Sequence, residues 1–220
     1  MSKKQNIKVT VDNIIFTIIK WKLQVLLIQR GIKPFRNYWA APGWFVHNNE
    51  SIEEAAYREL EEETSVKNIY LEQLYTFWEV DRDPRGRVVS IAYMSLVNQK
   101  NIFLRAWSDA KDTAFFPVNE LPDIAFDHKR IINYALKRLK YKLEYTNIAQ
   151  YLLPEYFTMR QLQDIYEIVF DQKFDVRNFR KKIDKLNIVQ DTGKKEKDVS
   201  HRPAKLFEFK DKQPKIVEIL

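Results

Sequence analysis

No cysteine occurs among the 220 residues of this chain. That excludes a disulfide framework, zinc-thiolate sites and thiol nucleophiles, and it fits a reducing compartment. Only four glycines are present, and none belongs to a phosphate loop of the G-x-x-x-x-G-K type. Histidine is equally scarce. His47, His128 and His201 show no metal-ligand spacing, which points to surface or structural roles. No Ser-His-Asp arrangement is legible. Long apolar runs are missing too. The longest candidate, residues 14–28, is broken by Lys20, Lys22 and Gln24 and falls short of the ~20 apolar residues of a membrane span. The opening MSKKQNIKVTVD lacks the apolar core of a signal peptide. A soluble, cytoplasmic protein with no membrane partner is expected.

What is present is enough apolar material, 45%, to bury a core. The length accommodates a medium domain and a small one. Net charge is +7 and unevenly spread: residues 173–215 hold 14 Lys and Arg against 7 Asp and Glu, so the rest of the chain is neutral. A basic tail on a neutral body has two readings, a polyanion partner such as nucleic acid or a solubilising surface.

Patterning predicts strands over 9–19 and 23–28 and a helix over 52–64. Strands over 69–80 and 88–97 flank the turn DRDPRGR. A short strand over 115–118 precedes the loop NELPDIAFD. A basic amphipathic helix covers 128–143, with Ile131, Ile132, Ala135, Leu139 and Leu143 near helical spacing. A boundary falls near 145–154, dividing the chain into domains 1–148 and 149–220. The first mixes a largely β body with helices, an α/β (α+β) arrangement.

The stretch GWFVHNNESIEEAAYRELEEETSV, residues 43–66, holds seven glutamates. Ser51 and Glu54 have capping-box spacing, so the helix starts at Ile52. Helical geometry turns Ile52, Ala55, Ala56 and Leu60 inward, and Glu53, Glu54 and Glu61 toward water. Glu59, Glu62 and Glu63 fall on or beside the inward stripe. Buried carboxylates need partners, and Arg58 serves only one or two of them. The cluster is therefore either part of an ion-paired structural helix or a site for a hard divalent cation such as Mg²⁺, with Glu50 completing the set.

These residues resemble the Nudix box, G-x5-E-x7-R-E-U-x-E-E-x-G-U, where U is apolar. Glu50, Arg58, Glu59, Leu60, Glu62, Glu63 and Val66 match. Trp44 and Ser65 stand where the box has glycine. With the preceding strands and WAAPGWFV, the likeness covers about residues 8–145. It implies the Nudix α/β/α sandwich with a mixed sheet and a pocket for a nucleoside diphosphate linked to another group. It also implies that Glu59, Glu62 and Glu63 are catalytic and hold Mg²⁺ against a pyrophosphate, with Arg58 orienting them. Trp44 permits neither close backbone approach nor positive φ easily, so the box carries the fold more firmly than turnover, and Trp44 caps or reshapes the pocket. Arg82, Arg85 and Arg87 surround the DRDPRGR turn, either as an exposed hairpin tip or as ligand contacts.

In the C-terminal part, Thr158-Met159-Arg160-Gln161 has capping-box form, and Leu162, Ile165, Tyr166, Val169 and Phe170 keep one apolar stripe. Asp175 caps a second helix. Val176, Phe179, Ile183 and Leu186 form its apolar side; Arg177, Asn178, Lys181 and Lys185 face away, flanked by Arg180 and Lys182. Residues 187–190 and 205–209 pair as strands around a basic loop carrying Lys194 and Lys195. Either this is a surface helical hairpin or a winged helix-turn-helix, whose second helix reads bases through Arg and Asn and phosphates through Lys.

The combination resembles the Nudix-related transcriptional regulators of the NrtR type over nearly the whole chain, with FTMRQLQDIYEIVF and FDVRNFRKKI carrying the second domain. The resemblance implies a homodimeric repressor on double-stranded operator DNA, with a nucleotide-type effector, ADP-ribose or a related NAD metabolite, and NAD metabolism genes as targets. Two alternatives remain: a Mg²⁺-dependent pyrophosphatase on ADP-ribose-like substrates, and a regulator of sugar use, for instance of arabinose.

Overall fold

The computed structural model describes residues 6–64, 70–101, 110–197, 199–200 and 202–220. Two compact units are present. One takes the described residues of Met1–Thr17, Gln24–Val97 and Asn101–Leu136; the other those of Ile18–Leu23, Asn98–Lys100 and Lys137–Leu220.

The first unit is built on a mixed seven-stranded sheet. Its strands are β1 (Lys8–Ile19), β2 (Lys22–Arg30), β3 (Trp39–Ala40), β4 (Gly43–Phe45), β5 (Tyr70–Phe77), β6 (Val88–Leu96) and β7 (Ala110–Pro117). The order is β3-β2-β1-β6-β5, with β4 added to β1 and β7 to β2. β1 and β6 run parallel over nine residue pairs, from Lys8 opposite Val88 to Phe16 opposite Leu96. The other registers recorded, β1 with β4, β2 with β3 and β7, and β5 with β6, are antiparallel. β1 and β2 are joined by a two-residue turn in which Lys20 and Trp21 take φ of 50° and 61°, the twist that matches a hairpin.

Helix α1 (Ile52–Thr64) begins where Ser51 and Glu54 cap it reciprocally, at 3.2 Å and 2.7 Å. Ala55 and Ala56 pack on Val11, Ile91 and Tyr93, and Leu60 packs with Ile15, Leu26 and Val97. The small alanines bring the helix close enough for Asn13 Nδ2 to donate to the Ala56 carbonyl at 2.9 Å. Ile52, expected on the inward stripe, is 39% exposed. As the first helical residue it projects past the packed surface. Helix α2 (His128–Tyr145) buries Ile131, Ile132 and Ala135 in this unit.

In the second unit, α3 (Met159–Phe170) carries the full capping box of Thr158 and Gln161, and α4 (Val176–Leu186) is capped by Asp175, which accepts from the Asn178 amide at 2.8 Å. Both helices end on a left-handed residue, Asp171 and Asn187. Strands β8 (Val189–Lys195) and β9 (Lys205–Phe209) form an antiparallel wing. The core joins Leu162, Tyr166, Val169, Phe179, Ile183 and Phe209. Val176, expected on the apolar side of α4, is exposed for the same reason as Ile52.

Other departures are local. The strand expected over 69–80 stops at Phe77, where the polar turn begins. The strand expected over 115–118 starts at Ala110, because pairing with β2 supports residues that alternation alone does not mark. Asn187 is a helix cap, so the first wing strand starts two residues later than expected. β3 and β4 are too short to show a period.

Candidate functional site

β1, β4, α1 and the turn before β6 converge on a cavity of about 290 Å³. β4 lies against β1 because Gly43 has no side chain. A Cβ there would sit 2.1 Å from the Val11 carbonyl oxygen. This close approach turns the Trp44 and Phe45 positions into cavity wall. The box glycine displaced by Trp44 is thus answered by Gly43, one residue earlier, serving a strand contact.

Arg58 of α1 organises one side. Its Nε and Nη2 donate to the two Glu50 oxygens at 2.9 Å and 2.8 Å, its Nη1 donates to Glu59 Oε1 at 2.5 Å, and Glu62 lies 3.5 Å away. One guanidinium thus reaches three carboxylates, more than the one or two expected of it. The Arg58 bonds hold Glu50 down at about 2. Burial pushes the Glu59 carboxyl above its ordinary range despite Arg58. Glu53, Glu54 and Glu61 are exposed, as expected. The Glu63 side chain, Ser65 and Val66 lie outside the described residues. Among the described residues, no three acidic or histidine side chains are gathered as a set ready to hold a metal ion.

The opposite side is a buried charge network. Arg82 donates to both Asp127 oxygens at 3.1 Å and 2.7 Å and reaches Asp12 Oδ2 at 3.4 Å. Ser90 also donates to Asp12. His128 accepts from the Ala41 amide at 2.9 Å through Nδ1 and sets Nε2 3.7 Å from Asp12. Burial lowers the His128 pKa, so the ring is neutral at pH 7. Arg85 donates to Asp83 at 2.7 Å and lies over the rings of Phe45 and Phe126 at 5.1 Å and 5.2 Å. Arg87 lies apart from the cavity lining and donates to the Trp78 carbonyl at 2.6 Å.

The cavity thus brings together Trp44, Arg58, Glu59, Glu62, Arg82 and Arg85 of the residues singled out in the sequence. It adds Asp12, Arg30, Asp83, Phe126 and His128, which sequence reasoning missed. A signal existed for Asp12, a lone carboxylate in an apolar strand. None existed for Asp83 and Phe126, whose placement depends on loops. Among the described residues, four arginines and four carboxylates line the space, so their formal charges balance.

In the second unit, Arg177, Asn178, Arg180, Lys181 and Lys185 are exposed on α4. Arg180 lies 3.9 Å from Asp184. Arg177, Lys181 and Lys185 have no ion-pair partner among the described residues. Lys194 and Lys195 are exposed on β8, with Lys194 Nζ 4.2 Å from the Tyr156 ring centroid. The turn before α4 is locked by Glu167, which accepts from Gln163 at 2.8 Å, Lys173 at 2.6 Å and the Phe174 amide at 3.2 Å. His201 lies outside the described residues.

Residues 11–135 match the model of the NUDIX domain, and residues 149–209 that of the NrtR DNA-binding winged helix domain. The ADPR responsive transcriptional repressor NtrR of Acinetobacter baylyi is 34% identical over 204 residues, covering 91% of this chain and 81% of that protein. The ADP-ribose pyrophosphatase of Methanocaldococcus jannaschii is 43% identical over 115 residues, 52% of this chain and 67% of that protein. The crystal structure of Shewanella oneidensis NrtR complexed with a 27mer DNA superposes with a TM-score of 0.82 at 33% identity, covering 92% of this chain and 93% of that one. The NUDIX domain of the same protein, complexed with ADP ribose, superposes at 0.56 with 35% identity, covering 62% of this chain and 90% of that one.

Proposed function

Because this chain belongs to the NrtR family of Nudix-related transcriptional regulators, we propose that it is an ADP-ribose responsive repressor. Residues 1–148 sense the ligand and residues 149–220 hold the operator. The observation that carries the reading is the α4 face, where Arg177, Lys181 and Lys185, with no ion-pair partner among the described residues, sit on a capped helix of a winged unit. Arg177 and Asn178 contact base edges; Arg180, Lys181, Lys185, Lys194 and Lys195 contact phosphates. A homodimer presents two such helices to a palindromic site, and NAD metabolism genes are the targets.

ADP-ribose occupies the cavity beside Trp44, Arg58, Arg82 and Arg85, with Arg87 serving the turn that carries the last two. Among the described residues the lining is charge-balanced, so a diphosphate brings negative charge that the arginines do not cancel. Hard carboxylate oxygens fit a divalent cation, and Glu59, Glu62 and Glu63, with Glu50 beside them, would hold Mg²⁺. The ion would supply the missing positive charge. Ligand releases DNA only if it binds the DNA-free arrangement more tightly than the DNA-bound one.

A gel shift with DNA from upstream of NAD metabolism genes, with and without ADP-ribose, tests this. A salt-sensitive, sequence-specific complex that ADP-ribose dissolves is expected. Absence of any specific complex would sink the repressor reading. A second reading, hydrolysis, is favoured by the retained carboxylates and the pyrophosphatase relative. AMP release with Mg²⁺ that exceeds a Glu62→Gln control would establish it; equal background in both proteins would remove it.

A further inference from the structure

The turn between α3 and α4 is fastened by side chains as well as by backbone. Gln163 and Glu167 stand one helical turn apart on α3, and both are buried. Gln163 Nε2 donates to Glu167 Oε1 at 2.8 Å and to the Phe174 carbonyl at 2.9 Å, which uses both of its hydrogens. The same Oε1 accepts from the Phe174 amide at 3.2 Å. Both main-chain groups of Phe174 are therefore held by α3. The Glu167 carbonyl accepts from the Asp171 and Gln172 amides, so this residue serves the turn through main chain and side chain alike.

The second carboxylate oxygen, Oε2, accepts from Lys173 Nζ at 2.6 Å and Arg160 Nη2 at 3.4 Å. Burial pushes the Glu167 carboxyl up, but the bonds from Lys173, Gln163 and the Phe174 amide outweigh it and hold the group at about 2. The carboxylate is thus charged at neutral pH, and the bonds it accepts are charge-assisted.

Asp175, the cap of α4, follows Phe174 directly, and Arg177 and Asn178 stand exposed on the first turn of the helix. The apolar side of α4 is anchored by Phe179 and Ile183, with the Phe179 ring 5.4 Å from that of Tyr166 and 6.2 Å from that of Phe174. Apolar contact is non-directional, so it holds α4 against α3 but fixes rotation and tilt weakly. Hydrogen bonds are directional, and those at Phe174 act at the end of α4 that carries Arg177 and Asn178. Base edges are read by paired bonds of set geometry. We propose that Gln163 and Glu167 are positioning residues for operator recognition: they set the angle at which α4 presents Arg177 and Asn178. Being buried, neither touches DNA itself. The inference rests on the reading of α4 as the helix that meets the operator.

Fluorescence anisotropy of the full chain with two duplexes tests it: the upstream fragment selected in the gel shift, and its scrambled counterpart. The readout is the ratio of the two affinities. Glu167→Gln and Gln163→Leu should each lower that ratio about tenfold, the size of one lost bidentate base contact. The negative charge lost in Glu167→Gln strengthens binding to both duplexes alike and cancels in the ratio. Thr158→Ala loosens the other end of α3 and controls for a purely structural loss; its ratio should equal that of the wild type. Gln163→Leu keeps the carboxylate and decides alone if Glu167→Gln does not fold. A wild-type ratio in every folded variant, or a fall of the same size in Thr158→Ala, would overturn the positioning role while leaving the repressor reading intact. A wild type that does not distinguish the two duplexes would overturn the repressor reading, and the positioning role with it.

Discussion

Gly43 and Arg177 show how differently single residues bear on this protein. A methyl at Gly43 meets backbone atoms of β1, including the Val11 oxygen at 2.1 Å. Gly43→Ala should cost about 1–3 kcal/mol in urea unfolding and lower ADP-ribose affinity, since β4 must shift and carry Trp44 and Phe45 with it. Arg177→Ala should leave folding unchanged and weaken specific operator binding by about 1–3 kcal/mol, read by gel shift against a scrambled site. Lys194→Ala and Lys195→Ala should instead weaken all sequences alike and reduce the salt slope by about 1 each. Glu50 behaves differently again. Its folded pKa of about 2 lies below the ordinary 4.5, so its bond to Arg58 contributes fully above pH 4.5 and is lost as pH falls toward 2. Glu50→Gln should flatten the acid limb of the unfolding midpoint measured over that window.

At the scale of elements, caps decide the second unit. Thr158→Ala removes the hydroxyl that accepts from the Gln161 amide, leaves the backbone amide that donates to the Gln161 side chain, and should cost about 1 kcal/mol, visible as faster hydrogen exchange in α3. Asp171→Gly should stabilise by up to about 1 kcal/mol, because glycine takes the left-handed cap at φ 54° without steric cost. The caps at helix starts, Ser51, Thr158 and Asp175, are legible in sequence, and so are the bounds of α1 and α4, because local spacing and local chemistry coincide there. The inward position of Glu59 is legible for the same reason. Asp12, Phe126 and Asp83 are not. They reach the cavity through parallel pairing of β1 with β6 and through loop closure, contacts between residues far apart in the chain. The Arg58 fan was half visible: helical spacing brings Glu59 and Glu62 near, but Glu50 precedes the helix, where its carboxylate also accepts from the His47 amide.

Across the whole molecule, positive charge exists in two conditions. In the cavity, Arg58, Arg82 and Arg85 each hold a carboxylate, at 2.8 Å, 2.7 Å and 2.7 Å. On α4, Arg177, Lys181 and Lys185 hold none among the described residues. Inorganic pyrophosphate should therefore release operator DNA no more than potassium chloride of matched ionic strength, whereas ADP-ribose should release it beyond that salt effect; filter binding in the three solutions distinguishes the cases. The same wiring sets what the protein hears above the chemical noise of a cell. On the proposed assignment of sites, abundant nucleotides and free phosphates would find the cavity arginines already engaged and enter only if their shape matches, while at α4 they would count as background electrolyte, so the signal molecule and the polymer would compete through different kinds of contact.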